Sequence, residues 1–263
     1  MNQHTSKSFV HEVEQVLAEV SRIPYENLSK IVAFHKHDDL FHALDTPEKM
    51  YRKSQEVGAG GTCYALTFYL KELLFQKGFS SEFLLGDKYK MKGIHCGLLI
   101  AWEGYQYLLD PGYMIYKPLL LPSGGLITHT YNEPNDVYLE DFSQDYWRMY
   151  TSGESQNGSG QEKKFRFDFR KTPLNEKEFV KYWKDTFFLQ MMDYPVLNKV
   201  EKGVQYYLQK NSFVTRTREG SELIKITREK FTELGSSLYG LSEELIEEYL
   251  VILSKSRRDF FTG

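Results

Sequence analysis

Only two cysteines, Cys63 and Cys96, occur in 263 residues. That scarcity excludes a disulfide-held scaffold and suits a reducing compartment, where a thiol is kept for chemistry or packing. Long apolar runs are missing as well: no stretch approaches the roughly 20 residues of a membrane span. The polar opening Met1-Asn2-Gln3-His4-Thr5-Ser6 lacks the apolar region of a secretory signal. The chain is therefore expected to be cytoplasmic, with no membrane partner. Nor is there a surplus of positive charge, since 33 Lys and Arg face 36 Asp and Glu for a formal net charge of −3. Without a basic field, nucleic acid is not an expected partner.

What the chain does have is 41% apolar and 15% aromatic residues, the make-up of an ordered globular protein with large side chains to pack or stack. Phe9, Val13, Val16, Leu17 and Val20 recur at helical spacing, and Pro24 is expected to end that helix. A second helix is expected over Pro47–Gln55. A third begins beside Cys63, carries Leu66, Tyr69, Leu70, Leu73 and Leu74 on one face, and closes at Lys77-Gly78. The pattern then changes to period two over Glu82–Leu85, Ile94–Trp102 and Tyr105–Leu109, an antiparallel region continued by Val137–Phe142 and Phe165–Phe169. Alternation puts Phe165, Phe167 and Phe169 on one face of the last strand, opposite Arg166, Asp168 and Arg170. Thr151–Lys164, polar and without apolar residues, reads as a mobile surface loop. Helices are expected again at Glu176–Phe188 and, after a Ser242 cap, at Glu243–Leu253.

Gly58-Ala59-Gly60-Gly61-Thr62-Cys63 feeds straight into the third helix and places the thiol in its first turn. Backbone N–H groups there lack internal partners and the helix dipole favours negative charge, so the thiol ionises more easily. The glycines would let the backbone approach a ligand and leave N–H groups for an oxyanion. The same segment also fits a buried small hydrophobe behind a turn.

If Glu103-Gly104 is a two-residue hairpin turn, Trp102 pairs with Tyr105 and counting outward sets Gly97 opposite Asp110. His95 and Asp110 then share a face as diagonal neighbours, about 7–8 Å apart at Cα, while Ile94, Cys96, Leu98 and Ile100 face the core. A strand histidine alone fits a satisfied polar residue. Joined to Cys63, it gives a nucleophile, a base in His95 and an orienter in Asp110. His35, His37 and His42 beside Asp38 and Asp39 read as a solvated turn, and no metal is expected. Lys88, Lys90 and Lys92 alternate beside the His95 strand, where they form a wet edge or meet a phosphate-bearing donor.

Four segments together resemble the arylamine N-acetyltransferase family. Ile23-Pro24-Tyr25-Glu26-Asn27-Leu28 is similar to its Ile-Pro-Phe-Glu-Asn-Leu entry motif and Gly60-Gly61-Thr62-Cys63 to its nucleophile turn. Ile94-His95 is similar to its histidine strand, and Asp110-Pro111-Gly112-Tyr113 to its Asp-Val-Gly-Phe. The resemblance implies an α+β fold: a helical bundle (1–85), an antiparallel β-barrel (86–190) and an α/β lid (191–263), a papain-like arrangement with the triad between the first two. It implies ping-pong acetyl transfer from acetyl-CoA to an arylamine or arylhydrazine, with Cys63, His95 and Asp110 catalytic and Gly112, Tyr113 and Ile94 at the substrate. The implied partners are a coenzyme A thioester and a small aromatic amine, with monomer and homodimer both open. The same triad would also serve an amide synthase or a cysteine amidohydrolase, or survive in an inactive binding homologue.

Three positions depart from the family pattern. Ala59 stands where members carry an arginine that pairs with the entry-motif glutamate, so Glu26 is expected to find Arg22 or Arg52 or to be solvated. Pro111 replaces a valine and stiffens the strand end. Asp193–Phe213 lacks the usual C-terminal pattern, which leaves the donor's binding mode open.

Overall fold

In the computed structural model, which describes residues 3–37, 39–132, 134–154, 161–255 and 260–261, helix α1 (Gln3–Val20) buries Phe9, Val13, Val16, Leu17 and Val20 as one apolar stripe. It stops ahead of Pro24, where Ser21 and Arg22 turn back onto the Leu17 and Glu19 carbonyls. Then come α2 (Leu28–Lys36), α3 (Leu40–Ala43), α4 (Pro47–Glu56) and α5 (Cys63–Gln76); α6 (Glu176–Asp185), α7 (Arg228–Ser237) and α8 (Glu243–Lys255) follow late in the chain. The strands are β1 (Tyr25–Glu26), β2 (Ser81–Lys88), β3 (Met91–Trp102), β4 (Tyr105–Asp110), β5 (Ile115–Leu120), β6 (Ile127–Asn132), β7 (Asn135–Asp141), β8 (Tyr146–Glu154) and β9 (Gln161–Arg170). After α6 come β10 (Val196–Glu201), β11 (Val204–Gln209), β12 (Ser212–Arg216) and β13 (Ser221–Lys225).

Eight strands in the order β5-β4-β3-β2-β9-β8-β7-β6 form an antiparallel, nearly closed barrel. Its edges are drawn together where Thr128 Oγ1 donates to the Leu120 carbonyl at 2.5 Å. Alternation sorts the strands cleanly. Leu84, Leu99, Leu108, Val137, Leu139 and Met149 fill the interior, while Phe83, Leu85, Cys96, Leu98, Ile100 and Leu109 turn outward onto the helices. There they meet the stripes of α1 and α5 and, from α6, Phe179 and Trp183.

The second sheet runs β1-β10-β11-β12-β13 and shares a core with α2, α7 and α8 through Leu28, Ile31, Leu197, Leu208, Phe231 and Ile246. Its first strand comes from the link between α1 and α2. Next to it, the fully buried Asn27 donates to the Met191 and Tyr194 carbonyls at 2.7 and 2.9 Å and accepts from Val196 N–H at 2.8 Å.

Two expectations change. Thr151–Lys164 is not a loop: Thr151 to Glu154 pair with Gln161 to Lys164 as the ends of β8 and β9, and residues 155–160 lie outside the described residues. The backbone bonds of that ladder are made regardless of side chain. The expected Glu176–Phe188 helix ends at Asp185 and tightens to a 3₁₀ turn over Thr186–Phe188.

Candidate active site

The turn before α5 lies against the entry segment. A Cβ on Gly60 would fall 1.7 Å from the Pro24 carbonyl oxygen, so only glycine fits. Gly61 N–H donates to Pro24 O, and Glu26 N–H donates to Gly61 O. Gly60 therefore serves a backbone-to-backbone contact, and Gly61 N–H, one of the donors expected for an oxyanion, is spent on Pro24. The helix start is still unspent from another side, because Thr62 makes no side-chain cap bond and the first-turn N–H groups have no intrahelical acceptor.

Cys63 is 5% exposed, with Sγ 3.9 Å from the Ile94 carbonyl oxygen. Its pKa is brought down to about 5, first by a hydrogen bond with the Cys96 thiol, against the opposing effect of burial, and then by the hydrogen bond and charge of His95. His95 moves the other way. Burial pulls its pKa down, but the Asp110 charge and hydrogen bond, with Cys63 behind them, leave it raised to about 10. An ion pair of thiolate and imidazolium satisfies both directions.

The β3–β4 register is the one the hairpin count requires. Trp102 faces Tyr105 through to Leu98 facing Leu109, and Glu103 and Gly104 both have positive φ, as a type I′ turn needs. His95 Nε2 reaches Asp110 Oδ2 at 2.7 Å, which leaves Nδ1 for the sulfur. Asp110 is fully buried, and its Oδ1 accepts from Tyr113 N–H at 2.9 Å. Pro111 costs the strand little: it opens a 3₁₀ turn, Pro111–Tyr113, where its missing N–H would have had no partner.

Gly112 is wedged against the nucleophile. A Cβ there would lie 2.5 Å from Cys63 Cβ and 3.3 Å from His95 Cε1. Phe167 stacks on the His95 ring at 4.1 Å and 9° while Tyr113 presents an edge at 6.2 Å. The Tyr25 phenol also belongs here; burial, then the Cys63 charge, raises its pKa well above the tyrosine range and keeps it protonated. Thus Cys63, His95, Asp110, Gly112 and Tyr113 come together, and Ile94 joins through its carbonyl.

Glu26 finds neither Arg22 nor Arg52 and is not solvated. Fully buried, it accepts from Ser29 N–H at 2.9 Å and Ser29 Oγ at 2.5 Å. Lys53 donates to that hydroxyl and to Asp45. Ser29, the second residue of α2, thus supplies both donors to the Glu26 carboxylate in place of the missing guanidinium. Asp39 caps α3 and pairs with His42 at 2.6 Å. Of the lysines, Lys92 pairs with Asp87 and Lys88 lies over the Phe167 ring at 5.8 Å.

Alternation misplaces two residues of β9. A bulge between Met149 and Tyr150 leaves Met149 opposite Phe167 and Tyr150 opposite Phe165, with Arg166 unpaired between them. Phe165 turns out beside Arg148, the partner of Asp168. Arg166 turns in, 5.9 Å from the Tyr113 ring, because an extra residue re-aims its side chain. Arg216 and Tyr207 reach the same region from β12 and β11. No residue-level signal announced Arg216.

A family model described as N-acetyltransferase matches residues 13–242. The arylamine N-acetyltransferase of Mycobacterium abscessus superposes with a TM-score of 0.76 at 17% identity, covering 92% of this chain and 88% of that one. The Mycobacterium marinum enzyme, solved in complex with CoA, gives 0.74 at 16% identity over 93% of each chain. A Bacillus cereus relative described as having a Cys-His-Glu triad gives 0.68 at 16% identity, over 89% and 91%. No curated protein sequence matches.

Proposed function

The chain belongs to the arylamine N-acetyltransferase family, and we propose that it carries an acetyl group from acetyl-CoA to an aromatic amine on Cys63. One observation carries this reading: a lowered thiol at a helix start beside an imidazole whose far nitrogen is bonded to a buried carboxylate at 2.7 Å. In the first half-reaction the Cys63 thiolate attacks the thioester carbonyl, the C–S bond to coenzyme A breaks, and the leaving thiolate takes the proton held on His95. In the second, the amine attacks acetyl-Cys63, His95 takes a proton from its nitrogen, and the Cys63 thiolate departs. Asp110 stabilises each imidazolium and fixes the ring tautomer. The unspent N–H groups at the start of α5 supply donors for the oxyanion of both tetrahedral intermediates.

Intact mass after mixing with acetyl-CoA tests this. The expected result is a single acetyl adduct, absent from Cys63→Ala and discharged by an aromatic amine. A folded wild-type chain that takes no acetyl group, or a Cys63→Ala chain that still acetylates amines, refutes it.

A further inference from the structure

Helix α2 buries a charge where its pattern calls for a hydrocarbon. Lys30 and Phe34 stand one turn apart on the face that meets the 3₁₀ turn Thr186–Phe188, and the Phe34 ring packs on Phe187 at 5.6 Å. Lys30 is 5% exposed. Its ammonium donates to the Thr186 hydroxyl at 2.5 Å and lies 4.3 Å from the centre of the Phe187 ring. Thr186 is set to accept, since its own proton goes to the Trp183 carbonyl at 2.6 Å. No carboxylate lies within ion-pair distance of Lys30 among the described residues; Asp45, whose charge it feels, is paired with Lys53 at 2.7 Å. A hydroxyl and a ring face compensate a buried ammonium incompletely, and a methionine would fill much the same space without the desolvation.

That charge has a use close by. Phe187, Trp183, Tyr64 and Cys63 belong to one buried cluster, the Trp183 ring is 6.3 Å from that of Tyr64, and Tyr64 follows Cys63 in the first turn of α5. In the ion-paired state the thiolate, the imidazolium and the Asp110 carboxylate sum to one negative charge inside the fold. With acetyl on Cys63 and a neutral His95, the carboxylate leaves the same sum. The Cys96 thiol from β3 and the Tyr25 phenol from β1 also face Cys63, but burial keeps both protonated and neither offsets it. The Lys53 ammonium serves Ser29 and Asp45. Lys30 and Cys63 each feel the other's charge. Although burial brings the ammonium down to about 8, it stays charged wherever the thiol is ionising. We propose that Lys30 is a positioning residue for acetyl transfer, the buried cation that neutralises the triad and holds the Cys63–His95 pair in its ionised form. This rests on the acyl-cysteine reading above.

The test is the pH profile of Cys63 alkylation by iodoacetamide, followed by mass, in the wild-type chain, Lys30→Met and Lys30→Arg. A thermal melt of each protein and its acetyl-CoA adduct are measured in parallel. The expected result is a Lys30→Met protein that melts at or above the wild-type temperature while its alkylation midpoint rises by about one pH unit, the lower end of what a nearby opposite charge exerts. Its acetylation by acetyl-CoA should slow roughly threefold near pH 5.5 and recover by about pH 8. Lys30→Arg, which keeps the charge, should keep the midpoint; where the larger guanidinium does not fold in, the Lys30→Met profile decides alone. A folded Lys30→Met protein with an unmoved midpoint overturns the inference alone, as does a shift of the same size in Lys30→Arg, which assigns the effect to packing. A Lys30→Met protein that melts well below the wild-type chain overturns it too, because the lysine then serves to hold the fold. Failure of the wild-type chain to form the adduct refutes the acyl-cysteine reading and this inference with it.

Discussion

The β3–β4 and β8–β9 hairpins each deliver a side chain to the site, by opposite means. In the first, register holds from the Glu103-Gly104 turn to Leu98 opposite Leu109, so His95 and Asp110 meet because period two is never broken. In the second, register slips between Met149 and Tyr150, and the slip turns Arg166 in and Phe165 out. Regular pairing brings the imidazole and the carboxylate within hydrogen-bond distance; an interruption of it brings a guanidinium beside the Tyr113 ring.

The regular hairpin should break most sharply at its end. Asp110→Asn keeps shape but favours the wrong tautomer of His95, and acetyl transfer should fall roughly ten-thousand-fold; near-normal turnover in a steady-state assay would remove Asp110 from the proton path. Gly112→Ala forces Cys63 and His95 apart and should lower kcat roughly a hundredfold, with a crystal structure of the variant showing the displaced ring. The pH dependence of Cys63 alkylation by iodoacetamide is the next largest effect. With the thiol at about 5 and the imidazole at about 10, the ion pair persists between those values, so the rate should be flat from neutrality down and drop roughly tenfold by pH 4, as the thiolate takes up its proton. Cys96, pushed up by burial, should stay unlabelled throughout. A Cys63 rate that instead rises through the ordinary thiol range would mean the pair is not formed. Smallest of all, Gly104→Ala strains a φ of +83° in open space. It should cost about 1 kcal/mol and lower Tm by roughly 2–4 °C in a thermal melt, with the His95–Asp110 pairing kept.

Much of the centre was legible because it obeys short-range rules. Helix onset located Cys63, and one turn plus alternation located His95 beside Asp110. The Cys96 thiol next to Cys63 was not, because it depends on how β3 meets α5. Glu26 shows a second limit: with α2 unrecognised, Ser29 could not be seen as a first-turn donor, and distant arginines were the only partners on offer. Thr151–Lys164 shows a third, since a polar ladder has no apolar alternation to announce it. Arg166 shows the last, for a one-residue bulge inverts every assignment beyond it and leaves no mark in composition.

Asn27 has a consequence for how ligands come and go. Its three hydrogen bonds, with β1 annealed to β10, rivet the second sheet to the chain segment that also braces the Cys63 turn. Swinging that sheet away as a door would break these buried bonds together, at about 1 kcal/mol each, and would drag the nucleophile's own support with it. The second sheet and the Cys63 turn therefore form one frame, and a door-like opening between them is the motion this frame opposes.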